Sequence, residues 1–376
     1  MNGLKVVFRA DASLQIGSGH VMRCLALAEA LRGSGAECYF ISRGHSGNLL
    51  DFIKDRGFIV FELSAPKYAV EEGGARGSEG LLAHSHWLGA TQAEDAAESE
   101  LALIGIEPSW IVVDHYALDA QWERIMTKPG RKLMAIDDLA DRAHLCEILL
   151  DQNLGRLPLN YSSLTSSSCE LLMGPSYALL RPEFSMLRTK SLAYRESPRL
   201  RRILITMGGV DANNVTALML QLLKNIRWPG EAHITVVMGR NSPWLVDVQR
   251  LAESMHCPTE VVSDVSDMAL RMSLSDLAIG GAGSTSWERC CLGLPSLMVI
   301  LADNQIEIGK ALHENGAAVL LGRPGDHGFQ KNFHAAMSLL MGSSEALKRM
   351  SIAAAKVTNG RGCSAVVSRI MERSKI

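Results

Sequence analysis

Eight cysteines occur without a single C-x-x-C pair, no apolar run approaches the roughly 18 residues of a membrane span, and no segment repeats at a fixed period. The cysteine spacing excludes a zinc-ribbon pattern and the disulfide framework of a small secreted domain. Reduced, packed thiols are expected, the adjacent Cys290 and Cys291 included. Neither sign of charge dominates: a formal net charge of −2 gives no basis for a nucleic-acid partner or an anionic membrane surface. The first residues hold one Lys, a short strand-like run and an Arg, without the long apolar region of a secretory signal, so the cytoplasm is the expected compartment.

What is present is a chain of 376 residues, 47% apolar and 21% charged, long enough for two domains with large cores. Short apolar runs recur at 5–8, 38–41, 59–63, 111–113, 133–136 and 148–150, and again at 203–206, 234–237, 260–262, 277–279, 297–301 and 318–321. They are apolar at consecutive positions and do not alternate, as parallel strands covered on both faces require. Helical spacing appears between them at 21–31, 215–223, 287–292 and 346–357. The expected fold class is α/β, with two doubly wound, Rossmann-like parallel-sheet domains facing across a cleft at the C-terminal ends of their strands. Residues 1–187 form the first domain, the Arg-rich stretch 188–202 with Pro198 a linker, and 203–376 the second, its last helix packing back on the first. The Gly- and Glu-rich stretch 71–80 reads as a mobile loop.

Chemistry is sought at the strand ends. After the first run come Asp11, then Gly17-Ser18-Gly19-His20, with Arg23 one turn into the helix, and Asp11, Gly17, Gly19 and Arg23 are expected to contact the substrate. Gly17 and Gly19 permit close approach of a ligand to backbone, and a neutral His20 can take a proton from water or, equally, pack locally. A third glycine is missing, which weakens a dinucleotide fingerprint. Asp114-His115-Tyr116 and the adjacent Asp137 and Asp138 end two further strands. The paired carboxylates suit a metal or ordinary loop capping.

In the second half, Met207-Gly208-Gly209 and Gly280-Gly281-Ala282-Gly283-Ser284-Thr285 are two strand–glycine–helix turns. Such turns expose backbone N–H groups to an anion, and a diphosphate fits. The hydroxyls of Ser284 and Thr285 add donors, and Glu288, a turn later, is placed for ribose hydroxyls. No Gly-Lys-Ser/Thr follows, so a P-loop NTPase is not expected. Asn304 ends the next strand and either contacts a sugar or caps the following helix, and Gln305 after it is expected to contact the substrate.

The block from Arg9 through Gly17-Ser18-Gly19-His20 to Arg23-Cys24-Leu25 resembles the UDP-sugar hydrolases of pseudaminic acid biosynthesis. So do Asp114-His115-Tyr116, the run from Gly174-Pro175-Ser176-Tyr177 to Arg181-Pro182-Glu183-Phe184, and Ala302-Asp303-Asn304-Gln305. The family is similar in fold to the GT-B glycosyltransferases. The resemblance implies hydrolysis of UDP-2,4-diacetamido-2,4,6-trideoxy-β-L-altropyranose at the anomeric C–O bond with inversion, releasing UDP. It implies no cofactor and no metal. His20 corresponds to the family's catalytic histidine, and Tyr116 and Asn304 to its active-site tyrosine and asparagine. A monomer is expected. A GT-B glycosyltransferase, a non-catalytic nucleotide-sugar binding protein and a metal-dependent UDP-sugar pyrophosphatase are the rival readings.

Overall fold

A computed structural model describes residues 3–66, 82, 84–228, 230–239 and 242–375. The stretch 71–80, expected as a loop, lies outside the described residues. The chain forms two compact units, Met1–Leu179 with Gly362–Ile376, and Leu180–Arg361.

Unit 1 is built on strands β1 (Lys5–Ala10), β2 (Glu37–Arg43), β3 (Ile59–Leu63), β4 (Trp110–Asp114), β5 (Lys132–Ile136), β6 (Ile148–Asp151) and β7 (Glu170–Met173). They form one parallel sheet in the order β3-β2-β1-β4-β5-β6-β7. Consecutive apolar residues serve opposite faces. Val6, Phe8 and Val112 join one buried cluster, while Val7, Ile111 and Val113 join the other. Each such side chain, fully buried, contributes roughly 1.5–3 kcal/mol, which is why the central strands tolerate no alternation. The helix Gly362–Arg373 lies in the first of these clusters through Val366 and Ile370, and Trp110 Nε1 donates to Ser374 Oγ (2.8 Å).

Unit 2 carries β8 (Arg202–Thr206), β9 (His233–Met238), β10 (Thr259–Ser263), β11 (Leu277–Gly281), β12 (Ser296–Val299) and β13 (Val319–Gly322), parallel, in the order β10-β9-β8-β11-β12-β13. Residues 188–202, read above as a linker, start as the second half of the helix Pro182–Tyr194 within this unit. Two of the arginines in this stretch, Arg188 and Arg195, serve helix ends. Arg188 donates to the carbonyls of Cys291, Ala355 and Thr358, and Arg195 to those of Met272, Ser273 and Ser275. Burial lowers Arg195 to about 10, which leaves it charged at neutral pH.

The strand order reverses direction between β1 and β4 in unit 1, and between β8 and β11 in unit 2. Loops leaving neighbouring strands at such a point diverge to opposite faces and open a crevice at the C-terminal sheet edge. Among the described residues no helix is long and apolar enough to cross a membrane.

Candidate active site

At the switch point of unit 1, β1 runs into Asp11 and a turn closed by Ser13 and Gly17. Gly17 N–H donates to the Ser13 carbonyl (2.9 Å), and Ser13 Oγ accepts from the N–H groups of Gln15 and Ile16. Gly17 has φ +77°, where a side chain is strained, and a Cβ there would meet open space. The turn delivers the chain into the helix Gly19–Gly33, with His20 in its first turn and Arg23 one turn on.

β4 ends in Asp114, fully buried, and its carboxylate organises both residues. His20 Nδ1 lies 2.6 Å from Asp114 Oδ1; Arg23 donates from Nε to Oδ2 (2.6 Å) and from Nη2 to Oδ1 (2.7 Å). Burial alone would push Asp114 up, but the Arg23 guanidinium and then His20 hold it well below the usual carboxylate range. A carboxylate at Nδ1 keeps the proton on that nitrogen and leaves the lone pair on Nε2, which has no partner among the described residues. Tyr116 packs edge-on against the imidazole, ring centres 4.6 Å apart. An oriented imidazole with an open Nε2 is the arrangement of a general base.

Two residues read above as substrate contacts are committed elsewhere. Asp11 is fully buried, accepting from Arg9 Nη1 (2.5 Å) and Nη2 (2.9 Å) and from the Arg43 N–H (2.7 Å). The same Arg9 and Arg43 also pair with Asp95, which takes a further bond from Trp122 Nε1. Asp11 thus anchors the strand ends. Arg23 spends its third nitrogen on Asp138 Oδ2 (2.8 Å), so the guanidinium acts on Asp114. The adjacent Asp137 is held by Arg142 and Tyr161, and the described residues contain no group of three or more His, Cys, Asp or Glu that could hold a metal.

The two glycine turns of unit 2 differ. After β8, Gly208 has φ +95° and Gly209 packs so tightly on Gly239 that a Cβ on the latter would sit 1.9 Å from the Gly209 carbonyl oxygen. The helix Val215–Lys224 that follows is capped by the chain itself. Asp211 accepts from Val215 and Thr216 N–H, and Asn214 from Ala217 N–H, so its leading donors are taken and the anion is already a side chain. After β11 the opposite holds. The N–H groups of Gly283 and Ser284 and the hydroxyls of Ser284 and Thr285, half-buried, have no partner among the described residues. Gln305 braces this turn, its Oε1 accepting from Leu301 N–H (3.0 Å) and its Nε2 3.5 Å from where a Cβ on Gly283 would stand. Arg289, buried beneath it, donates to the Gly281 carbonyl (2.6 Å). Glu288 faces Arg181 (3.7 Å), and burial pushes it up to about 7 against that cation. Asn304 is exposed in the turn Asp303–Gln305.

Spacing alone missed Asp114 as the partner of His20, because nothing in the β4 run distinguishes a polar strand end from a working carboxylate. It also missed His84 and Trp87, whose rings stack over Tyr116 (5.3 and 5.8 Å) although they lie about thirty residues away in sequence.

Residues 202–359 match the glycosyltransferase family 28 C-terminal domain. Over 321 residues the chain is 27% identical to the UDP-2,4-diacetamido-2,4,6-trideoxy-beta-L-altropyranose hydrolase of Campylobacter jejuni, covering 84% of this chain and 98% of that protein. It is 24% identical to the spore coat polysaccharide biosynthesis protein SpsG of Bacillus subtilis, over 83% of this chain and 82% of that one. The crystal structure of Acinetobacter baumannii MurG superposes with a TM-score of 0.67 at 17% identity, over 98% of this chain and 99% of that one. The resemblance drawn from the motifs therefore extends over most of the chain, and the fold is that of the GT-B glycosyltransferases.

Proposed function

We propose that the chain hydrolyses UDP-2,4-diacetamido-2,4,6-trideoxy-β-L-altropyranose to UDP and the free sugar, in pseudaminic acid biosynthesis. The observation that carries this reading is the buried Asp114–His20 pair, which offers an open Nε2 beside Tyr116 at the switch point of unit 1. The 27% identical hydrolase supplies the substrate.

In the proposed reaction His20 Nε2 takes a proton from water as its oxygen bonds to the anomeric carbon. The C–O bond to the β-phosphate breaks, its electron pair leaves on UDP, and attack opposite the leaving group inverts the centre. Asp114 holds the Nδ1 proton and stabilises the imidazolium that forms. We assign the diphosphate to the N–H and hydroxyl donors of 283–285, which would meet the charge developing on the leaving oxygen. Glu288 is assigned to the ribose, Tyr116 and Asn304 to the sugar and water. No step calls for a metal.

The test is turnover in EDTA and oxygen-18 water, with products read by NMR and mass spectrometry. Label on the sugar C1 hydroxyl and UDP release without any acceptor are expected, and His20→Asn should cut kcat by about 10²–10⁴-fold with UDP affinity kept. Label in UMP would overturn C–O cleavage. The family 28 match favours one rival, transfer of the sugar to an acceptor; UDP release that depends strictly on an added acceptor would decide for it.

A further inference from the structure

The segment that carries Trp87 is docked against the switch point of unit 1. Leu88 is buried in the same cluster as Ala117 and Leu118, and Gly89, at φ +69°, lies so close to Pro66 that a Cβ there would stand 2.7 Å from the proline ring. This fixes the turn Ser85–Trp87 and sets two rings over Tyr116. Trp87 stacks on Tyr116 at 5.8 Å and 27°, and His84 lies tilted against both, 4.3 Å from Trp87 and 5.3 Å from Tyr116. Tyr116 itself touches His20. The inner rings, His20 and Tyr116, are buried, whereas His84 and Trp87 are half-buried. Burial holds His84 below the usual imidazole range, which favours a neutral ring at pH 7. The cluster therefore ends in apolar ring faces one ring removed from the proposed base.

We infer that His84 and Trp87 form an apolar cap that selects a sugar with an unhydroxylated edge, the C6 methyl of a 6-deoxyhexose, against one carrying a hydroxymethyl group. This rests on the proposed function for its substrate class. Aromatic faces gain from covering a methyl, whereas a hydroxymethyl laid on those faces would give up water to ring carbons, because the nitrogens of His84 and Trp87 lie at the ring edges, in the ring planes. One methyl in an apolar site is worth about tenfold or somewhat more in kcat/KM.

The experiment compares two nucleotide sugars, UDP-2,4-diacetamido-2,4,6-trideoxy-β-L-altropyranose and UDP-N-acetylglucosamine, on wild type, Trp87→Ala and Trp87→Phe. Turnover is read by UDP release, and contact by saturation-transfer NMR at the C6 protons. Trp87→Ala should lower kcat/KM for the 6-deoxy sugar by about tenfold, narrow its advantage over the hydroxymethyl sugar and remove saturation of the C6 methyl; Trp87→Phe should restore most of each. Unchanged preference in a folded Trp87→Ala, or a C6 methyl saturated equally with and without the indole, overturns the cap. Wild type that saturates the methyl through Trp87 yet releases no UDP would sink the hydrolysis while supporting the cap.

Discussion

Asp114→Asn isolates what the buried carboxylate does. The side chain keeps its shape and loses a charge with no water to replace it. One carboxylate oxygen receives Arg23 Nε, and the other receives both Arg23 Nη2 and His20 Nδ1, so an amide must turn its NH2 against a donor in either orientation. With the amide oxygen toward Nε, the NH2 group faces His20 and forces Nδ1 to accept. The imidazole proton then sits on Nε2 and the base is gone. The analogous replacement in the Ser-His-Asp triad costs about 10⁴ in kcat by the same tautomer error, and general-base assistance as a whole is worth about 10²–10⁴. A loss of kcat in that range, with KM little changed, is expected. Stability falls too. Breaking a buried ion pair costs about 3–5 kcal/mol, reduced here because Arg23 keeps Asp138. The assay pairs single-turnover UDP release with thermal unfolding by circular dichroism. The double variant with His20→Asn should lose little more activity than His20→Asn alone, since both act through one proton. A folded Asp114→Asn enzyme within about threefold of wild-type kcat, or full additivity in the double variant, would refute the dyad.

Other expectations follow from the same geometry. Glu288→Gln should weaken UDP binding by about tenfold in calorimetry, and unchanged affinity would remove it from the ribose role. Asp211→Ala should cost about 1–2 kcal/mol of stability, read from the urea midpoint, because two helix N–H groups lose their cap. It should leave UDP affinity intact; lost affinity would mean that the turn after β8 also binds the nucleotide. Asp151 supplies a pH dependence: burial, and then the neighbouring Asp138, push it up to about 7 from an ordinary 3.8. A carboxyl raised on folding contributes stability that is fully present below about pH 4 and is lost as pH rises through about 7. Asp151→Asn should therefore melt higher than wild type near pH 8, with the advantage shrinking toward pH 4. A constant difference across that range would count against it.

Much of the fold could be read from residues because parallel strands between two helix layers leave long apolar runs. The six runs read in the second half correspond to β8 through β13. The strand not foreseen, β7, is an edge strand with only Leu172 buried among its four residues, and an edge has one neighbour to demand apolar side chains. The helix Pro182–Tyr194 was hidden for a different reason. Arg188 within it and Arg195 at its C-cap reach carbonyls far away in sequence, a use that composition cannot distinguish from solvation. At the site, the two glycine turns look equivalent as text, and only the caps made by Asp211 and Asn214 separate them. Those caps depend on left-handed φ values at both residues (48° and 51°), which no spacing rule reports.

Returning the chain to unit 1 for the helix Gly362–Arg373 has a consequence for biosynthesis. A ribosome emits the seven strands of unit 1 before any of unit 2, yet the seat under Val366 and Ile370 stays vacant until the helix Gly362–Arg373 emerges after unit 2. Unit 2, drawn from one unbroken stretch, can mature while its elder neighbour still waits for its closing piece. A nonsense codon shortly after residue 361 would therefore spare the later-made half and cripple the earlier one, the reverse of what truncation usually does.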